Sequence, residues 1–494
     1  MKANILRQKK IVLAMALALG TQGFSAAAWA QDKANGSSTP SAVSAKEVAP
    51  TPALANNDLL SLYREAALND PVFNAAKYGY LAGKEKLWQG LSVLLPQVSA
   101  VGSETKNNVV NKATYAESRY LSRGWTVKLT QPLFNWDKWE QFRQGDMASA
   151  IAEAQYAAAE QDLVLRVTEA YFNVLNAQDT LNLARNKKVL INEQLEQAKR
   201  NFEVGTATIT DTHEAQSRYD LVIAQELAAE ADVLIKRSAL EQLTGKPIGN
   251  IKTLSTQAKI EVVAKERKIK LKNNTKPTKV NIENAVAVQP DQTIQDWVKQ
   301  AEEVSYSIIA SKLAYEVANK DTNRAIAGHA PSVDLIAQRG YNDAEAVTGQ
   351  LRTYNNQAMI QVTVPLFAGG YTQSLVREKS ALASKALADY ENTRRSIAQA
   401  TRQAYLGFNN GLAQVKAYEA AEISALSALE SNKLGYEVGV RINIDVLNAQ
   451  DTLFTTRRDL AKARYDTILN GLRLKAQAAV LSDEDLQSVN ALLK

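Results

Sequence analysis

The feature that most limits what this 494-residue chain can fold into is that it repeats itself. Phe202-Glu-Val-Gly205, followed by Asp211 and Ala215-Gln216, returns as Tyr436-Glu-Val-Gly439, followed by Asp445 and Ala449-Gln450, a shift of 234 residues from Gly205 to Gly439. Pro132-Leu-Phe134 likewise returns as Pro365-Leu-Phe367, and Pro96 as Pro331. A period this long means one duplicated module, not a solenoid.

Proline marks the same plan in both halves. All 11 prolines lie at or before Pro365, and none falls from Leu133 to Lys246 or from Leu366 to Lys494. Each half therefore ends in a long tract that nothing obliges to bend, rich in Ala, Leu, Glu, Gln, Lys and Arg, the good helix formers. From Leu163 to Phe202, mostly apolar residues recur at alternating steps of four and three, broken by Lys188. This 3.5-residue period predicts a left-handed coiled-coil seam. Shifted by the repeat, a weaker stripe runs in register from Ile397 to Tyr436, with Glu422 where Lys188 stood. Gly205 and Gly439 interrupt the tracts and permit a turn, so each tract reads as a helical hairpin, on the order of 100 Å long if its outer arm continues into neighbouring helices.

Before each hairpin the period changes to two. Trp125, Val127 and Leu129 alternate with Thr126, Lys128 and Thr130, and Ala358, Ile360, Val362 and Val364 alternate with Gln357, Met359, Gln361 and Thr363. These are strands with one apolar face. Fainter partners follow Pro96 and Pro331, and the polar stretches 106–122 and 339–356 read as loops. Phe134, Trp136, Trp139, Phe367 and Tyr371 crowd the strand ends like an interfacial aromatic belt. Four membrane strands leave two unsatisfied edges in lipid, whereas the smallest membrane barrels have about eight, so several chains must share one barrel.

Composition removes whole classes of function. With no cysteine there is no disulfide framework, thiolate metal site, cysteine nucleophile or cysteine-linked lipid. Two histidines, His213 and His329, leave no imidazole cluster for a transition metal or a triad, and no phosphate-cradling glycine loop is present. Neither a cofactor nor an enzyme is expected. The net charge of +6 does not mark a nucleic-acid surface. Four of those charges lie in residues 1–30 and a further +6 in 259–279, so the rest of the chain carries −4.

Lys9 and Lys10, the apolar run Ile11 to Leu19 and Ala28-Trp29-Ala30 form a secretory signal peptide, too short in its apolar part to span a bilayer. The expected organisation is then a signal peptide at 1–30 and a flexible leader at 31–56, followed by a first repeat at 57–247 with strands near 97–105 and 123–134 and a hairpin near 136–243. A basic inter-repeat segment follows at 248–291. A second repeat occupies 292–481, with strands near 332–338 and 357–367 and a hairpin near 370–481, and a tail closes the chain at 482–494.

With the two Pro-Leu-Phe strand ends, Val204-Gly205 followed by Ile209-Thr210-Asp211, and Tyr436-Glu-Val-Gly439 followed by Arg441 and Asp445-Val-Leu, the chain resembles the TolC family of outer-membrane exit ducts from Asn57 onward. The resemblance implies a mainly α fold with membrane β. A homotrimer would share a 12-stranded barrel in the outer membrane of a Gram-negative bacterium, continued by a periplasmic α-helical tunnel closed at its tip. Motif match puts Thr210, Asp211, Tyr436 and Arg441 at the gate and Asp445 at the pore constriction. Asn448 stands where a second acid is expected, which bears on ion selectivity. Gly205 and Gly439 mark the tips that contact a periplasmic adaptor, and the adaptor joins the duct to an ABC or proton-driven inner-membrane transporter. Segment 259–279 would lie at the tunnel girdle, longer and more basic than the family leads one to expect. The function implied is passive exit of proteins or small molecules by efflux or type I secretion. A secreted coiled-coil scaffold or adhesin trimer without a conduit is the alternative, and it would leave the protein outside the membrane fraction.

Overall fold

The computed structural model describes residues 57–111, 116–206, 208–253, 293–346 and 349–493. The signal peptide, the leader and nearly all of the basic inter-repeat segment lie outside the described residues.

The duplication is visible element by element. The first repeat runs α1 (Leu59–Asn69), α2 (Pro71–Ser92), β1 (Gln97–Asn111), β2 (Ala116–Phe134), α3 (Trp136–Glu203) and α4 (Ile209–Thr244). The second runs α5 (Ile294–Val304), α6 (Tyr306–Ala327), β3 (Ser332–Ala346), β4 (Gly349–Thr363), α7 (Tyr371–Glu437) and α8 (Asn443–Gln477), and α9 (Asp483–Asn490) follows. Local chemistry sets the boundaries. Asp70 caps α2 by accepting from the Val72 and Phe73 amides, with Pro71 at the first helical position, where its missing N–H costs nothing. Burial alone would raise the Asp70 carboxyl, but the Arg166 guanidinium at 2.8 Å and the capped amides outweigh it and hold the group below its usual range.

The long helices α3 and α7 have 68 and 67 residues, about 100 Å each at 1.5 Å per residue. The return arms α4 and α8 have 36 and 35 residues, so each covers about half of its long partner. The other half is flanked by α2 and α6, which pack against α3 and α7 respectively. Leu163, Val167, Val174, Ala177, Leu181, Ala184, Ile191, Leu195 and Ala198 of the stripe are all buried. Each polar break in the stripe meets an opposite charge on its return arm: Lys188 binds Glu226 at 2.6 Å, and Glu422 binds Arg457 at 2.8 Å. Both turns are closed alike. Gly205 and Gly439 sit at φ 77° and 80°, and the following amides bond back to Asn201 and Gly435 at 2.8 and 2.9 Å, a Schellman arrangement that a β-carbon would strain.

The four strands form one antiparallel sheet in the order β1-β2-β3-β4. Register places Val98, Leu129, Ala337 and Ala358 in one row, so they share a face. Ala100, Val127, Leu335, Ile360, Val333 and Val362 lie on that same face. Thr126, Lys128, Thr130, Gln338, Gln357 and Gln361 lie on the other.

The stretches 106–122 and 339–356, expected as loops, are strand wherever they are described. The ladder is made by main-chain groups and does not require an apolar face, and polar cross-strand pairs replace the alternation there. Asn107 donates to Ser122 at 3.0 Å, and the rings of Tyr341 and Tyr354 lie 5.0 Å apart. At the other end β4 stops at Thr363, short of the expected 367: Pro365 cannot donate to a ladder, and Gly369 and Gly370 turn the chain at positive φ. The matching Pro132 stays within β2, where the pairing with β3 shifts register between Pro132 and Phe134.

The main core lies where the repeats meet, with Leu59 and Leu62 of α1, Tyr171 and Phe172 of α3, Leu240 of α4, Leu472 of α8 and Leu486 of α9. No helix among the described residues is long and apolar enough to cross a membrane.

Helices α2 and α3 approach so closely that a β-carbon on Gly145 would lie 2.5 Å from the Lys86 carbonyl oxygen, whereas one on Gly79 meets nothing within 4 Å. Gly145→Leu is expected to destabilise the protein by at least about 2 kcal/mol through overpacking. Gly79→Ala should be neutral or stabilising by about 0.5 kcal/mol. Thermal unfolding of the two variants measures the difference.

Candidate functional site

The residues expected at a gate lie at the two hairpin turns, but in pairings the motifs do not foretell. Asp211 is engaged in its own helix: its Oδ2 accepts from the Thr208 amide at 2.9 Å and the Thr208 hydroxyl at 2.8 Å, a capping box that starts α4. Thr210 is exposed on the first turn of that helix. Helix α8 has Ile442 at the equivalent position and so lacks a side-chain cap. Asp445, three residues on, is left to pair with Arg441 at 3.6 Å. The Tyr436 hydroxyl accepts from Asn201 Nδ2 at 3.2 Å, tying the end of α7 to the end of α3. Within one chain, then, the expected Asp–Tyr–Arg latch is divided between the Thr208–Asp211 cap, the Asn201–Tyr436 tie and the Arg441–Asp445 pair. The strong demand of a helix N-terminus for an acceptor accounts for the capture of Asp211.

Above the turns a second group of contacts joins the hairpins. Asp451 of α8 accepts from Arg218 Nη1 of α4 at 3.0 Å and pairs with Lys187 of α3. Arg218 Nη2 also donates to Asn448 Oδ1 at 3.2 Å, so the expected constriction residue is held by a cation of the other hairpin. Between the tip and this level lies a cavity of about 170 Å³ lined by Leu190, Gln194, Tyr436, Val446 and Gln450. The Oε1 atoms of Gln194 and Gln450 are buried without a partner among the described residues.

No motif marks Asn201, Lys187, Arg218 or Asp451. Their partners lie in other helices, Arg218 and Asp451 in different repeats, and no local pattern encodes such a contact.

Farther up, the repeats are pinned by a polar bond inside the core. Tyr465 of α8 donates to Asp179 of α3 at 2.6 Å, and its ring stacks on Phe172 at 5.3 Å. Burial pushes the Asp179 carboxyl up, and the Tyr465 hydrogen bond offsets this only in part; burial and the nearby carboxylate push the Tyr465 hydroxyl up as well.

The aromatic residues at the sheet-to-helix junctions, Phe134, Trp136, Trp139, Phe367 and Tyr371, are all exposed, Phe367 at 88%. His213 and His329 are exposed on α4 and in the link before β3.

A sheet with one apolar face and two open edges, continued by hairpins about 100 Å long, is the architecture of an outer-membrane channel protein. The family model described as outer membrane efflux protein matches the chain twice, over residues 62–246 and 297–479, once per repeat. "Outer membrane protein TolC" of Vibrio cholerae is 32% identical over 447 residues, covering 88% of this chain and 94% of that one. "Alkaline protease secretion protein AprF" of Pseudomonas aeruginosa is 29% identical over 446 residues, covering 88% and 86%. In three dimensions the chain is similar to VceC from Vibrio cholerae, with a TM-score of 0.68 at 17% identity over 85% of this chain and 96% of that one. It is equally similar to CmeC from Campylobacter jejuni, with a TM-score of 0.68 at 16% identity over 92% and 95%. The chain belongs to the outer membrane efflux protein family.

Because the folded state holds the Asp179 carboxyl above the usual carboxylate range, the residue favours folding below that range, and the contribution is lost as pH rises through the folded value. Asp179→Asn keeps an acceptor for Tyr465 and removes the buried charge. The variant is expected to unfold at a higher temperature than the parent at neutral pH, with the gap closing toward pH 4; thermal unfolding across that range measures it.

Proposed function

We propose that three copies of this chain close their sheets into one 12-stranded barrel in the outer membrane and align their hairpins into a periplasmic tunnel. The tunnel is a passive exit duct. An inner-membrane transporter, ABC or proton-driven, supplies the energy, and a periplasmic adaptor joins the transporter to the exposed hairpin tips around Gly205 and Gly439. The observation that carries this reading is the pair of open edges. β1 and β4 each expose a 15-residue ladder, and their sheet has an apolar face, so in lipid the bare amides and carbonyls require strands from another copy. The exposed aromatics at the junctions then form the inner interfacial belt, and Leu366, 92% exposed, lies at the same level. In the assembled tunnel Thr210, Asp211, Tyr436 and Arg441 form the gate, and Asp445 with Asn448 the constriction. The duct catalyses no reaction. Its cargo class, protein or small molecule, is open to both efflux and type I secretion.

Light scattering of detergent-purified protein is expected to give three chains per particle; a monomer sinks the barrel. In planar bilayers Tyr436→Phe with Arg441→Glu should raise single-channel conductance several-fold without loss of insertion, because charge-assisted bonds at the tip are removed while the strands are untouched. Conductance equal to that of the parent channel counts against the gate.

A further inference from the structure

We propose that Asp451, clamped by Lys187 and Arg218, is a second latch that holds the duct shut above the tip; the inference rests on the exit-duct reading. Three helices meet there. Asp451 projects from α8 of the second hairpin, Lys187 from α3 and Arg218 from α4 of the first. Lys187 also donates to Gln225 at 3.3 Å, and Arg218 to Asn448 at 3.2 Å, so both cations are held in place. The Lys187 side chain is only 13% exposed, and those of Asp451 and Arg218 are 31% exposed. This partial burial makes the network stronger than a surface pair.

The clamp is not inherited from the duplication. Inside each hairpin an ion pair ties the charged residue of the seam stripe to its own return arm, Lys188 to Glu226 and Glu422 to Arg457. At the repeat shift of 234, Lys187 and Arg218 fall on Ala421 and Thr452, and Asp451 on Ser217, none of them charged. The network therefore serves the contact between hairpins and not the architecture of either one. It flanks an apolar contact of Leu447 with Ile191 and Val222. Toward the tip the seam opens into the cavity of about 170 Å³, so packing there gives way and the polar ties hold the hairpins together.

Geometry decides whether the clamp breaks on opening. The two repeats are pinned at Tyr465 and Asp179. Asp451 lies 14 residues from Tyr465 along α8, roughly 21 Å, and the start of α8 at Asn443 lies 22 residues away, roughly 33 Å. If the arm swings about that pin, the clamp moves about six-tenths as far as the tip, so a tip movement of about 6 Å carries Asp451 about 4 Å from its partners. A hydrogen bond of 3.0 Å does not survive that displacement. The tip tie and the clamp thus restrain the same swing together, so removing either one lowers the cost of opening.

The test is single-channel conductance in planar bilayers. Asp451→Asn is expected to shift the open-to-closed ratio about five-fold toward open, and Asp451→Glu, which keeps the charge, should stay near the parent value. Raising salt from about 0.1 to 1 M should open the parent channel more than it opens Asp451→Asn, because screening acts on the charges the variant lacks. The absence of cysteine permits a direct lock. In the Tyr436→Phe, Arg441→Glu background, Arg218→Cys with Asp451→Cys joined by a short bis-thiol reagent should return conductance to the closed level. If the tip variant opens while Asp451→Asn behaves as the parent and the cross-linked channel stays open, the clamp is overturned and the gate stands. If neither the tip variant nor Asp451→Asn alters conductance, the gate falls together with the clamp.

Discussion

The structure depends on main-chain hydrogen bonding at two bare strand edges. Within the sheet every interior strand has neighbours on both sides, but β1 and β4 each have one, and an exposed ladder in hydrocarbon costs several kcal/mol per unsatisfied group. In the proposed barrel, copies of the sheet satisfy those edges by closing on one another. That requirement sets the place of the helices, because α3 and α7 start within a few residues of the ends of β2 and β4 and continue the sheet as long rods. The aromatic residues that line these junctions belong to both parts at once.

Beyond the sheet, the two repeats are alike where they do the same work and unlike where they meet. Both turns use a glycine at positive φ, and both stripes carry one charged residue answered from the return arm. The differences concentrate at the tips. Thr208 caps α4 and thereby occupies Asp211, whereas Ile442 cannot cap α8 and leaves Asp445 to Arg441. The same pair of acids, equivalent in the duplication, thus performs a structural task in one repeat and is available to an arginine in the other. Two neighbouring changes separate the two roles: hydroxyl to alkyl at the cap position, Thr208 against Ile442, and Ala207 against Arg441 just before it.

Most of the fold was legible because its signals are periodic. A 3.5-residue stripe identifies a seam, and a two-residue alternation identifies a strand face, whether or not the partner is known. The strands beyond residue 105 and before residue 357 escaped this reading because polar pairs such as Asn107 with Ser122 lie along the ladder there, and a polar ladder has no period to detect. Which helices flank the upper halves of the long rods escaped it for a related reason. A seam stripe tells that a helix is covered but not by which helix, so the replacement of α4 by α2 along the upper half of α3 left no mark in the stripe itself.

The sequence by itself determined the duplication, the alternation of strand and rod and the turns at Gly205 and Gly439, because each rests on short motifs or periods of nearby residues, whereas the candidate gate residues were named by resemblance to the family. Only the tertiary structure decided which of those residues touch. Tyr436 with Asn201, Arg218 with Asp451 and Tyr465 with Asp179 join positions more than 200 residues apart, and the register of β2 against β3 couples the two repeats in the same way. Such contacts follow from how two rods lie against each other, a property of packing geometry that no local pattern of side chains encodes.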